Sequence, residues 1–191
     1  RMNSLIEDLL NLSRVSRPEL HREEVELGSV ARLVVDELRR AEPERKLDYL
    51  SPQRISVMGD PRLLRLLLEN LLGNAWKFTR LRDVARIELG ETKLGEERVC
   101  FVRDNGVGFD MTYSDKLFLP FQRLHSTEEF DGTGIGLATA ERIVRRHGGR
   151  IWAEGKEEDG ASFFFTLEPA PDSPRSVDPA DRRPSAPGPA I

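Results

Sequence analysis

Leu5, Leu9 and Leu12 recur at spacings of four and three, with Ile6 and Leu10 beside them and Glu7, Asp8, Asn11 and Arg14 elsewhere. That period predicts an amphipathic helix over about residues 1–16. Alone it cannot bury its apolar stripe, so it calls for the downstream domain or a partner helix in a bundle. Pro18 closes it. After a short polar segment, Ser29 can cap a second helix with Val30, Leu33, Val34, Leu38 and Ala41 on its apolar positions. Ile55-Ser56-Val57-Met58 reads as strand. Gly59-Asp60-Pro61 then starts a third helix, because Asp60 can accept orphan amide bonds and Pro61 suits the first helical position. That helix runs to about Thr79, with Leu64, Leu67, Leu68, Leu71 and Leu72 on its buried sides.

Val84 to Glu91 and Arg98 to Arg103 predict a hairpin with Gly95 between its strands. Residues 109–131 carry no long period and hold Phe118, Pro120 and Phe121 before a polar run, as an anchored but mobile loop does. A helix over about 135–147 stops at Gly148-Gly149. Arg150 to Glu154 and Ser162 to Leu167 make a last strand pair. From Pro169 to Ile191, seven of the 12 prolines fall in 23 residues and three Arg balance three Asp, which predicts a disordered tail.

Composition narrows the classes. The chain has 191 residues with formal charge −4, enough for one compact domain with appendages and unlike a basic nucleic-acid binder. It has no apolar run of membrane-spanning length and no secretory core near its start. A single cysteine, Cys100, excludes an internal disulfide and a Cys-rich zinc site, and points to a cytoplasmic setting. Opening on Arg1 rather than methionine is what a piece of a longer protein would show.

Three clusters carry chemistry. Asn70, Asn74 and Lys77, spaced by four and three, share one stripe of the third helix. Amide oxygens are hard ligands for magnesium and a lysine beside them suits phosphate, so the stripe can hold a metal–triphosphate complex; a solvated helix face is the plain alternative. Asp104-Asn105-Gly106-Val107-Gly108 ends an apolar strand. Its glycines let backbone approach a flat ligand, and the Asp104 carboxylate can accept from an exocyclic amine such as adenine's, against the plain reading of a turn. Gly132-Thr133-Gly134-Ile135-Gly136-Leu137 feeds a helix, where successive amides bind anions. A dinucleotide fingerprint fails there, because a polar loop and not a strand precedes it; a P-loop fails for lack of Gly-Lys-Ser/Thr.

In this order, with the Phe118-Leu119-Pro120-Phe121 anchor between, the motifs resemble the N, F and G boxes of sensor histidine kinases in the GHKL ATPase superfamily shared with gyrase and the Hsp90 chaperones. The likeness covers about residues 22–168, as an ATP-binding catalytic domain. Residues 1–17 resemble the second helix of the kinases' dimerisation and phosphoacceptor hairpin. The run Phe121-Gln122-Arg123-Leu124-His125 resembles phytochrome-like and PAS-linked kinases. The resemblance implies an α/β fold, a two-layer sandwich of the Bergerat type. A mixed, mainly antiparallel sheet would be covered on one face by three helices and preceded by one bundle helix.

It also implies roles. Asn74 and Asn70 would hold Mg2+, Lys77 would meet phosphate, and Phe78 would border adenine. Asp104, with Gly106 and Gly108, would bind the base; Gly132, Thr133, Gly134, Gly136 and Leu137 would face phosphate; and Arg123 would reach the outer phosphates. The implied activity is transfer of the ATP γ-phosphate to a histidine for relay to a response-regulator receiver domain, in a homodimer formed through the bundle helix. Hydrolases of the superfamily place a glutamate where this chain has Asn70, so hydrolysis should be slow. The family's phosphoacceptor His-Glu/Asp-x-x-x-Pro segment is absent. His21, His125 and His147 read as surface or packing histidines, so the acceptor is expected outside this chain. A nucleotide-binding regulatory module without transfer is the alternative.

Overall fold

The computed structural model describes Ile6, Leu10, Val15 and residues 19–52, 54–122, 130 and 132–167. Arg123, His125, the tail from 168 and most of the leading helix lie outside the described residues. Ile6 and Leu10 are helical and half exposed, while Val15 is buried in the core.

Among the described residues from 19 onward, eleven elements follow in chain order. They are β1 (Glu23–Glu26), α1 (Leu27–Ala41), β2 (Leu47–Leu50), β3 (Ser56–Gly59), α2 (Pro61–Phe78), β4 (Ala85–Leu94), β5 (Glu97–Asp104), a 3-10 helix (Met111–Lys116), α3 (Gly136–Arg146), β6 (Ile151–Lys156) and β7 (Gly160–Phe165). A five-stranded sheet has the order β2-β4-β5-β7-β6; β2 runs parallel to β4 and the other pairs are antiparallel. β1 and β3 form a separate antiparallel ribbon. This is the mixed, mainly antiparallel sheet with helices that the resemblance implies.

Alternation along the strands decides which face is covered. Ile87, Leu89, Cys100, Val102, Phe163 and Phe165 share a face and join one core with Leu64, Leu67, Leu68, Leu71 and Leu72 of α2. Fully burying a leucine is worth about 1.5–3 kcal/mol, so α2 is the main tie between the two layers. The opposite face carries Phe101, Phe164 and Trp152 in a row, the last two rings stacked at 5.4 Å.

Two local expectations change. Ser29 does not cap α1; the cap is Glu26, whose carboxylate accepts from the Gly28 and Ser29 amides at 3.0 and 2.6 Å. A longer acid reaches back from the end of β1 and also takes the Ile55 amide at 3.0 Å, tying ribbon to helix. Strands β1 and β2 were not expected: both are four residues long and half charged or exposed, and their pairing with distant segments forms them. Asp60 does cap α2 as the sequence implies, with Pro61 in its first turn.

Candidate functional site

Between α2, the end of β5, the 3-10 helix and the start of α3 lies a cleft of about 270 Å³. Asn70, Asn74, Lys77 and Phe78 line it from α2. Asp104 and Gly108 line it from the turn after β5, and Gly132, Thr133, Gly134, Gly136 and Leu137 from the glycine-rich segment. Of the residues singled out from the sequence, Gly106 stands just behind this lining and Arg123 lies outside the described residues. The rest meet in one cavity.

The cleft has a polar end and an apolar end. At the polar end the Asn70 side-chain amide donates to the Leu66 carbonyl at 2.8 Å, which fixes its oxygen toward the start of α3. That oxygen stands 2.6 Å from where a Cβ on Gly136 would be, so any side chain there would push the Asn70 amide out of its place. The Lys77 ammonium lies 4.2 Å above the Phe78 ring and close against Gly132. At the apolar end, Phe78 meets the edge of Phe130 at 5.1 Å, and Phe109 lies beside Phe163.

Asp104 ends β5 on the covered face and is buried. Its carboxylate accepts from the Gly106 amide at 2.8 Å and from the Ala161 amide. Burial dominates those bonds and pushes its pKa up to about 6. A buried carboxylate with further acceptor capacity, opening on an apolar slot, suits the amine edge of a flat base. Gly108 has φ +66, and a Cβ there would stand 1.8 Å from the Lys156 carbonyl, so the turn closes only with glycine.

Several contributors were not read from the sequence. Arg82 clamps the turn: its guanidinium donates to the carbonyls of Asn105, Gly106 and Glu158 at 2.8, 2.9 and 2.7 Å. A single arginine in a polar loop has no period or motif to mark it. Phe130 and Lys116 also line the cleft. Phe121, which the sequence marks as part of the aromatic anchor, is 61% exposed with φ 64, a left-handed backbone unusual for a bulky residue, and its amide donates to the Gly134 carbonyl at 2.9 Å. This bond ties the F-box segment to the glycine-rich turn.

The donor set bears on a metal. No group of three or more His, Cys, Asp and Glu side chains that could hold an ion occurs among the described residues. The oriented Asn70 oxygen and the neighbouring Asn74 amide offer one or two hard oxygens, which fits magnesium carried mainly by phosphates and water.

A family model described as histidine kinase-, DNA gyrase B-, and HSP90-like ATPase matches residues 59–171. The chain belongs to this family. It is 36% identical over 166 residues to cyanobacterial phytochrome A of Nostoc sp., covering 87% of this chain and 22% of that protein. It is 38% identical over 171 residues to the methanogenesis regulatory histidine kinase FilI of Methanothrix harundinacea, covering 87% of this chain and 19% of that protein. The chain thus spans about a fifth of the length of these relatives. Among solved structures, full-length ShkA in complex with AMPPNP superposes with TM-score 0.69 at 25% identity, covering 86% of this chain and 35% of that one. The mycobacterial sensor histidine kinase MprB shares the fold, with TM-score 0.64 at 21% identity, covering 78% of this chain and 100% of that one. No helix among the described residues is long and apolar enough to cross a membrane.

Proposed function

We propose that this chain is the ATP-binding catalytic unit of a sensor protein-histidine kinase, acting on the cytoplasmic side and supplying the γ-phosphate to a histidine on a hairpin outside it. One observation carries the reading. Asn70, Asn74 and Lys77, the buried Asp104 and the glycine-rich start of α3 converge on a single cleft with one apolar and one polar end. In it Asp104 and the Phe78, Phe109 and Phe163 rings would take adenine, and the Gly132–Gly136 amides and Lys77 would take phosphates. Asn70 and Asn74 would hold Mg2+, which when bound neutralises phosphate charge. Arg123 would reach the outer phosphates.

Phosphoryl transfer draws chiefly on positioning and charge neutralisation. The cleft fits that division of labour. It aligns phosphates and offers Asn70 where superfamily hydrolases have a water-activating glutamate. A carboxamide is no base, so bound ATP is kept for transfer and not spent on water. The partners of the whole protein would be its own phosphoacceptor hairpin, a second copy joined through the bundle helix, and a response-regulator receiver domain.

The reading is tested with γ-labelled ATP on the chain alone and with the hairpin supplied in trans. Acid-labile label on the hairpin, and none on the chain alone, is expected. His147 is buried and His21 is away from the cleft lining, so neither can accept. Tight ATP binding with no label on any hairpin histidine would instead indicate a regulatory nucleotide-binding module.

A further inference from the structure

The His147 ring is completely buried at the end of α3, far from the nucleotide cleft, and it is fully bonded. Its Nδ1 lies 2.8 Å from the Ile143 carbonyl and must donate to it, so Nε2 is free to accept the Asp60 amide at 3.0 Å. Asp60 in turn caps α2 through the Arg62 and Leu63 amides at 3.0 and 3.4 Å, and it accepts the His21 amide at 3.3 Å. Arg22 donates to the His147 carbonyl at 2.9 Å. Arg146, one residue earlier, donates to the Val15 carbonyl. The segment that joins the leading helix to the domain is therefore fastened to the end of α3 and the start of α2.

These same two helices build the polar end of the cleft from their other portions. At 1.5 Å per residue, Asp60 and Asn70 stand about 15 Å apart along α2, and Gly136 and His147 about 16 Å along α3. The helices touch at both stations. At one station the Asp60 amide capping α2 meets the His147 ring at 3.0 Å, and at the other a Cβ on Gly136 would lie 2.6 Å from the Asn70 oxygen. Two rods of matched length in contact at both stations cannot pivot at one without changing the spacing at the other.

We infer that the His147–Asp60 contact is a positioning joint: it fixes α2 against α3 so that Asn70 and Gly136 keep their spacing. Through His21 and Arg22 the preceding segment acts on the cleft by way of this joint. The inference rests on the cleft being the nucleotide site, but the joint itself shows without nucleotide. His147 is a positioning residue and never touches the ligand.

The test uses the full chain and three variants. Arg22→Ala frees the linker, His147→Leu keeps bulk but removes both ring nitrogens, and His147→Gln restores an acceptor for the Asp60 amide. Without nucleotide, Arg22→Ala and His147→Leu should shift the NMR signals of the Gly136 backbone amide and the Asn70 side-chain amide, and His147→Gln should leave them near their wild-type positions. With Mg·AMPPNP, the first two should weaken binding about fivefold and the third should recover it. Shifts confined to the neighbours of His147 and Asp60, with affinity unchanged in folded variants, would overturn the joint and leave His147 a packing residue. Should His147→Leu fail to fold, the exposed Arg22→Ala decides alone by the same two readouts. Wild-type chain that binds no nucleotide would defeat the site reading, while the nucleotide-free spectra would still decide the joint.

Discussion

Asp104 shows how much one buried carboxylate can be asked to do. Its spacing before two glycines was legible in the sequence; its burial and raised pKa were not, because they depend on β7 and on the Phe78 layer closing over it. An acceptor of an amine proton works best ionised, so ligand affinity should fall as pH drops through 6. At pH 5 it should be about tenfold weaker than at pH 7, from the fraction of carboxylate that remains. Titrations of a fluorescent adenine nucleotide at the two values check this. Asp104→Asn should bind weakly and lose that step, and an unchanged step in the variant would assign the titration elsewhere. Asn70, Asn74 and Lys77 were legible for a simpler reason: helical spacing alone puts them on one stripe. The Asn70 orientation was not, since it comes from a bond to Leu66 and from the bare Cα of Gly136.

At the scale of elements, the long periodic pieces α2 and α3 and the β4–β5 hairpin could be read from the chain. Strands β1 and β2 could not, because charged or half-exposed residues in Glu23–Glu26 and Leu47–Leu50 pair with segments far away in sequence. The turn after β5 is likewise held by a residue outside it. Arg82→Ala should leave three carbonyls unbonded, costing about 1–3 kcal/mol of stability and weakening nucleotide binding more than a surface Arg→Ala such as Arg39→Ala. Urea melts and binding titrations on both variants check the ordering.

His147 and Asp104 pull the pH dependence of stability in opposite directions. Burial, with Arg22 and Arg146 nearby, lowers the His147 pKa below its ordinary 6.5 despite Asp60. The unfolded chain then takes a proton that the fold refuses, and this group's contribution is lost as pH falls below that value. Asp104 keeps a proton to about 6 against 3.8 unfolded, so its contribution is greatest at low pH and is lost as pH rises through 6. His147→Gln should therefore lose less stability than wild type between pH 7 and 5. Parallel urea midpoints at the two values would show that His147 does not set the acid limb.

For the molecule as a whole, the covered sheet face supplies the core and one end of the helical layer supplies the site. Much of this architecture was legible because four motifs fell in one order along the chain. What was not legible is the fastening of the linker to Asp60, across 39 residues, and to Arg146 and His147, across more than a hundred. The proline-rich segment 169–191 has balanced charge and little to bury, so its removal should leave melting temperature and nucleotide affinity nearly unchanged, as calorimetry of the truncated chain would register.

The central claim is that this cleft holds Mg·ATP through the α2 amides, Asp104 and the glycine-rich start of α3. Calorimetric titration of AMPPNP, with and without magnesium, into wild type and folded Asn74→Ala, Asp104→Asn and Gly134→Ala variants tests it most directly. The account predicts magnesium-dependent binding to wild type and a loss of about tenfold or more in each variant, which is about 1.4 kcal/mol per contact. Wild-type affinity in all three, or binding indifferent to magnesium, would contradict it.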